Sequence, residues 1–311
     1  MKKIIALALA AMMLLGMTGI AFAGNETHKI GILCSDNTHG WVGAVAYYAE
    51  QRCKELGVQY NITTAGNIEE MTTNIDDQLT WGAEALVVCA QWPGLEDPIG
   101  EVVKQGIPVV NFDIDIAVDG LYKVTGHNYD MGVLCAQAIV EQIGTTGTVV
   151  ALPVPTSGSV SELRMQGFYD TVKKIAPDLV VKEYSTKFNA EAALTDMADV
   201  LTAEDHIDAV FSLDDSTSLG AIEAILDGNR KDIKVMTGGG GAQAYFQNIQ
   251  KNEDIWLCTA LYSPIMVQDA VNAAVALLNG ETVEQVLVIP TAIVDRNNVT
   301  EYLDENTPYY D

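Results

Sequence analysis

The chain has 311 residues, 49% of them hydrophobic, and carries 42 acidic against 17 basic side chains for a formal charge of −25. So acidic a surface repels phosphate backbones and anionic lipid headgroups, which argues against nucleic acid or a membrane surface as partner and leaves small neutral or cationic molecules. The five cysteines are widely spaced with no CxxC, and the four histidines lack metal-ligand spacing, so neither a zinc site nor any other metal or cofactor is expected.

In chain order, the first 23 residues read as a secretory signal peptide. Lys2 and Lys3 form a basic start, residues 4–17 are apolar, and Ala21-Phe22-Ala23 makes an A-x-A cleavage signal before Gly24. An uncleaved anchor is the alternative, but the apolar stretch is short for a membrane span. Cleavage leaves 311 − 23 = 288 residues, enough for two domains, free in a periplasm.

From Lys29 onward, strand and helix patterns alternate. "KIGILC" (29–34) reads as a buried strand. "SDNTHGW" (35–41) follows as a loop, and apolar residues at 42, 45, 46, 49, 53 and 56 mark an amphipathic helix. Further strands are expected at 58–63, 85–89, 108–112, 148–152, 179–184, 208–213, 233–237 and 255–259. Helical patterns between them include 67–81, 128–143, 161–176, 190–203, 215–227 and 264–279. Val- and Ile-rich strands separated by helices imply an α/β fold, doubly wound, with mainly parallel sheets covered on both faces. The pattern runs twice, from Lys29 and again from Thr148, with no low-complexity linker between. Two such lobes leave a cleft lined by loops at the carboxyl ends of the strands, where ligands bind in open α/β sheets.

The loops on that edge carry the candidate binding residues. In the first loop, Trp41 offers a flat apolar face, and Asp36, Asn37 and His39 offer hydrogen bonds; that combination suits a sugar ring, with its apolar C–H faces and equatorial hydroxyls. A purely structural role is the alternative: Asn37 or Thr38 caps the helix and Trp41 packs in the core. Gln91 and Trp92 lie in "CAQWPG" (89–94), Asp113 and Asp115 in "NFDID" (111–115), Arg164 in "SELRMQGF", Phe188 in "TKFNAE", and Asp214 and Asp215 in "FSLDDSTS". Carboxylates and a guanidinium make the stronger, charge-assisted hydrogen bonds to hydroxyls. "TGGGGAQ" (237–243) lacks the spacing of a phosphate-binding loop; a flexible turn and a close approach to ligand both fit it.

Taken together, the pieces "ELGVQYNI" (55–62), "GAEALVV" (82–88), "GIPVVNFD" (106–113), "GHNYDMG" (126–132), "RMQGF" (164–168), "DAVFSLDDSTSLGAI" (208–222) and "IPTAIVDRNNVTEYL" (289–303) resemble, over essentially the whole mature chain, a type I periplasmic binding protein of the ribose/galactose-binding family, which serves ABC importers. The resemblance implies two Rossmann-like lobes joined by three hinge crossings near 125–128, 260–263 and 288–291. It places 24–126 plus 262–288 in the N-terminal lobe and 127–261 plus 289–311 in the C-terminal lobe. It also implies a sugar-hydroxyl carboxylate at Asp113, a clamping arginine at Arg164, stacking aromatics at Trp41 and Phe188, and a polar contact at Asp214. Three positions depart from the family's pattern: Ile114 in place of a second arginine, Gly240 in place of an acid, and Leu261 in place of a hinge glutamine. Each missing polar group would leave a hydroxyl unpaired at roughly 1–3 kcal/mol. Ribose and glucose are therefore disfavoured against a less hydroxylated or differently shaped polyol, with Asp115, Gln91, Trp92 and Tyr262 as substitute contacts.

The function implied is a periplasmic solute-binding protein, a hinged trap expected to hand a neutral sugar or polyol to an ABC permease as a monomer. The alternative is a sensor subunit presenting such a ligand to a membrane receptor. An enzyme is not expected: His28, His39, His127 and His206 form no Ser-His-Asp order. The carboxylate pairs Asp113/Asp115 and Asp214/Asp215 fit hydroxyl binding or helix capping better than glycosidase chemistry. A repressor core of the same fold is opposed by secretion, acidity and the lack of a helix-turn-helix.

Overall fold

The computed structural model describes residues 27–36, 40–304 and 306–310. The signal-peptide reading and His39 lie outside them. The first half runs β1 (Lys29–Ser35), α1 (Gly40–Leu56), β2 (Gln59–Ala65), α2 (Ile68–Trp81), β3 (Ala85–Cys89), α3 (Glu96–Lys104), β4 (Val109–Phe112), β5 (Tyr122–Gly126) and α4 (Asn128–Ile143). It continues through β6 (Thr146–Leu152), α5 (Ser159–Ile175), β7 (Asp178–Glu183), α6 (Ala190–Ala203), β8 (Ala209–Ser212), α7 (Asp215–Asp227), β9 (Val235–Gly240), α8 (Gln243–Lys251), β10 (Trp256–Leu261), α9 (Val267–Leu278), β11 (Val286–Ile289) and β12 (Ile293–Asp295).

The strands form two six-stranded sheets, in the orders β11-β5-β4-β3-β1-β2 and β12-β10-β9-β8-β6-β7. Every pairing is parallel except β12 against β10. This is the two-lobed, helix-covered α/β architecture expected from the alternating pattern. The chain passes between sheets three times: after β5, after β10, and in the short segment between β11 and β12. β5, β11 and β12 were not among the expected strands. β11 is short and exposed along three of its four residues, so it offers neither a run of strand-like length nor a buried pattern.

Local chemistry accounts for the boundaries. Asn67 caps α2 by accepting from the Glu70 N–H at 2.9 Å, and the Glu70 carboxylate reaches back to the Gly66 N–H at 2.8 Å, a reciprocal arrangement that satisfies orphan donors. Gly82 ends α2 at φ 89°, a left-handed position where a side chain would be strained. The central strands are buried on both faces, as in β3, where all five residues are buried, whereas the edge strands β2, β7 and β11 are partly exposed.

Helix pairs in the second lobe meet backbone to backbone. A Cβ placed on Gly132 of α4 would sit 2.0 Å from the Arg164 carbonyl oxygen of α5, and one on Gly167 of α5 would sit 2.0 Å from that of Tyr129. Gly220 of α7 approaches the Ala190 carbonyl of α6 at the same virtual distance. These glycines fall in "GHNYDMG", "RMQGF" and "DAVFSLDDSTSLGAI". The contact pins α5, and hence Arg164, against α4, which begins at a crossing. Gly167→Ala should therefore force the two helices apart and lower stability by about 1–3 kcal/mol, measured as a drop in the urea midpoint at unchanged slope; an unshifted midpoint would show that the close approach is dispensable.

Candidate functional site

Asp113 sits one residue beyond β4, in a turn that bends it back toward the cleft. Its φ is 78°, a left-handed conformation uncommon for a residue with a side chain. The turn is held on both sides: the Asp113 N–H donates to the Val124 carbonyl at 3.0 Å, extending the β4–β5 ladder, and the Asn111 side chain donates to the Ile114 carbonyl. The carboxylate is 5% exposed. It accepts from the Tyr262 hydroxyl at 2.5 Å and from Gln91 Nε2 at 3.1 Å. Burial pushes its pKa up, opposed by the Tyr262 hydrogen bond and by the charge of Arg164.

Tyr262 is the residue through which the lobes meet. It follows β10 at the second crossing, its ring is buried, and its hydroxyl lies 3.1 Å from Thr125 Oγ1 and 3.3 Å from Asn128 Nδ2, at the first crossing. Its carbonyl accepts from Trp41 Nε1 at 2.7 Å. Trp41 in turn stacks on Phe112, with ring centroids 5.8 Å apart and planes 6° apart. From the other lobe, the Arg164 guanidinium lies over the Tyr262 ring at 4.6 Å and within 5.9 Å of the Phe188 ring, a cation–π arrangement on two faces. Arg164 is held in place by donating from Nε to Asn128 Oδ1 at 2.9 Å and from Nη1 to the Leu213 carbonyl at 2.7 Å.

Asp214 stands at the start of α7, accepting from the Thr217 N–H at 2.8 Å as its N-cap. Burial raises its pKa to about 6, opposed by the Thr217 bonds and assisted by neighbouring Asp215. Asp215 is fully buried and turned away from the cleft. It accepts from the N–H groups of Gly241 and Ala242 at 2.6 and 2.8 Å and from the Thr259 hydroxyl at 2.6 Å, tying β9 to β10.

Trp41, Gln91, Asp113, Arg164, Phe188, Asp214, Gly240 and Tyr262 all border one interlobe space of about 320 Å3. Two other expected contacts stand elsewhere. Asp115 points outward and pairs with Lys123 at 2.7 Å, because the turn at Asp113 reverses the chain before it. Trp92 packs against the first lobe's own core, with its indole N–H buried and unpartnered among the described residues. The glycine run also differs from a loop: residues 237–240 are the end of β9, where a Cβ on Gly238 would lie 2.4 Å from the Asp215 carboxylate and one on Gly239 would lie 2.4 Å from the Leu213 carbonyl. Close packing, rather than a flexible turn, requires glycine there. Val160, Gly239 and Tyr309 also line the space and were not anticipated. For Tyr309 the only sequence signal is the aromatic pair near the chain end, which has no periodicity to place it.

Of the three positions expected to depart from the resembled pattern, Ile114 and Leu261 do not line the gap. Ile114 is buried in the first lobe's core, so it presents no polar group to the cleft. Leu261 faces a neighbouring cavity beside the hinge. The lips of the two lobes touch where the Asp115 N–H donates to Ser159 Oγ at 2.9 Å.

Comparison with known proteins places these features in context. A family described as a periplasmic binding protein domain matches residues 30–282. The chain is 27% identical over 276 residues to the ribose import binding protein of Bacillus subtilis, covering 86% of this chain and 88% of that protein. It is 25% identical over 258 residues to a D-apiose import binding protein of Paraburkholderia graminis, covering 81% of each. In fold it is similar to an ABC transporter solute-binding protein of Mycobacterium smegmatis with bound glycerol, at a TM-score of 0.85 and 24% identity over 92% of this chain and all of that one. A galactofuranose-binding protein superposes with a TM-score of 0.83 at 21% identity, over 91% of this chain and 100% of that one.

The Asp214 environment has a pH signature. Its folded pKa, raised to about 6 from an ordinary 3.8, means that its protonation contributes stability fully present below pH 3.8 and lost as pH rises through 6. Asp214→Asn keeps the helix cap but removes the titration. The stability of this variant relative to the native protein should rise by on the order of 2 kcal/mol between pH 4 and pH 7, read from urea midpoints of the ligand-free proteins; a constant difference would mean that Asp214 is not desolvated.

Proposed function

The chain belongs to the periplasmic binding protein domain family, and from that premise we propose that it captures a neutral sugar or sugar-like polyol in the interlobe space and delivers it to the permease of an ABC importer. The observation that carries this reading is the convergence of Asp113, Tyr262 and Trp41 from one side and Arg164 and Phe188 from the other on a single gap. Aromatic faces suit the C–H surfaces of a polyol or sugar ring, and the acid–guanidinium pair suits its hydroxyls. Arg164 offsets one of the two carboxylates that border the gap, Asp113 and Asp214, which disfavours an anionic ligand.

A binding role rather than catalysis fits the same groups. Each carboxylate at the cleft is engaged: Asp113 with Tyr262 and Gln91, Asp214 with the amide of α7 that it caps. Among the described histidines, His127 caps α4 and His206 lies beside Asp208 and Asp232, away from the gap. A sensor role is not favoured, since the relatives named above are import proteins. The apolar or glycine character of positions 114, 240 and 261 supports a compact ligand with fewer hydroxyls than a standard hexose. The relatives that take ribose and apiose, and the glycerol bound in a structural neighbour, bracket that size.

Closure follows from differential contact. A ligand touching Asp113 and Arg164 together is held only when the lobes approach, so binding shifts the hinge equilibrium toward the closed form that a permease can recognise. The reading is tested by a thermal-shift screen of pentoses, hexoses, deoxy sugars, inositols and sugar alcohols, since a ligand bound only by the folded state raises the midpoint. Against the best hit, Asp113→Ala and Arg164→Ala should each weaken binding by roughly 1.5–3 kcal/mol in calorimetry; unchanged affinity in both would overturn the site.

A further inference from the structure

Tyr309 lies beyond every strand and helix of the two sheets and beyond residue 282, where the family match ends. Its side chain is nonetheless 4% exposed and borders the interlobe space. The terminal segment is anchored to the start of α8 by four hydrogen bonds. Gln243 N–H donates to the Tyr309 carbonyl at 3.3 Å, Ala244 N–H to the Tyr310 carbonyl at 2.7 Å, Gln243 Nε2 to the Tyr302 carbonyl at 3.0 Å, and Asp304 N–H to Gln243 Oε1 at 2.8 Å. The same segment reaches α1 on the other lobe, where the hydroxyls of Tyr48 and Thr307 lie 3.1 Å apart.

The ring stands in front of Gly240. A Cβ on Gly240 would lie 2.4 Å from the Tyr309 hydroxyl oxygen, and the backbone there has φ 146°. The phenol therefore occupies the volume that a side chain at 240 would take. Beside it lies a second pocket, open to solvent, of about 680 Å3, bordered by Tyr48, Phe246, Leu261 and Tyr302; Gly240 and Tyr309 border both spaces. One aromatic ring thus stands between the two.

We propose that Tyr309 is the size-selecting wall of the ligand chamber. This rests on the binding function proposed above and narrows it: the native chamber accepts a compact, unsubstituted neutral polyol or monosaccharide and rejects derivatives whose substituent would run into the second pocket. Position 240 is glycine because the wall comes from the chain terminus instead.

The test uses the full chain with Tyr309→Ala and Tyr309→Phe, the latter keeping the ring. Calorimetry and thermal shift are run with ribose, xylitol, glycerol and myo-inositol and with methyl and phenyl ribosides. In parallel, acrylamide quenching of the ligand-free proteins, corrected by a Trp41→Phe background, reads access to Trp41 across the same chamber. Tyr309→Ala should lose at least tenfold in affinity for the compact ligand, gain binding to a riboside that the native protein rejects, and raise quenching of Trp41 at least twofold, while Tyr309→Phe keeps the native selectivity. Native selectivity and native quenching in Tyr309→Ala would overturn the wall. If no compound binds the native protein, the sugar reading fails and quenching alone decides the wall, supporting it if raised and overturning it if unchanged. Should Tyr309→Ala not fold, Tyr309→Leu, which removes the phenol but keeps an apolar branched side chain against the core, is read the same way.

Discussion

A carboxylate buried at the meeting point of two lobes is the constraint around which the rest is arranged. An ionised group withdrawn from water is costly unless donors replace its hydration. Asp113 is supplied with them by residues from different parts of the chain: a phenol hydroxyl from the second crossing, an amide from the loop after β3, and the field of an arginine on the opposite lobe. The tyrosine that answers the acid also touches the first crossing through Thr125 and Asn128, and Asn128 in turn orients Arg164. Acid, hinge and guanidinium therefore form one connected network. Displacing any member leaves a buried polar group unmatched.

Such a network needs a rigid frame, and close backbone contact provides it. Gly132 and Gly167 let α4 and α5 touch, which sets the height of Arg164 above Tyr262; Gly220 does the same for α6 and α7, whose first residues neighbour Phe188 and Asp214. Asp215 supports the floor by stitching the end of β9 to β10. The two adjacent aspartates thus divide their work. One caps a helix at the edge of the gap, and the other is sealed beneath it with every nearby donor satisfied.

The polar and apolar parts of the gap are segregated in a way that suits a ring or short polyol. Trp41 and Phe112 stack on each other and present an apolar wall continuous with the first lobe's core, while Phe188 faces it from the second lobe. Charged groups lie between these walls. A molecule lying there exchanges water for aromatic surface on its faces and for charged hydrogen bonds at its rim, and gains both only when the lobes are together.

The alternation of Val-rich runs with amphipathic segments determined the fold class on its own, because strands buried on both faces must be continuous and apolar while their covering helices must not be. The position of a residue at the carboxyl edge of such a strand likewise brought Trp41 and Asp113 into consideration, and a place near the start of the following helix brought in Arg164, since both converge on that edge. What the sequence could not settle was direction within a loop. Asp113 and Asp115 are two residues apart and chemically identical, yet a left-handed turn aims one into the gap and the other at Lys123 and solvent. Trp92 and Trp41 are the same side chain, separated by which layer of packing each meets. Only tertiary contact decided that three of the four glycines, 238–240, are strand rather than turn, and that a tyrosine near residue 310 borders the gap, because both depend on atoms brought within van der Waals distance from segments far apart in sequence.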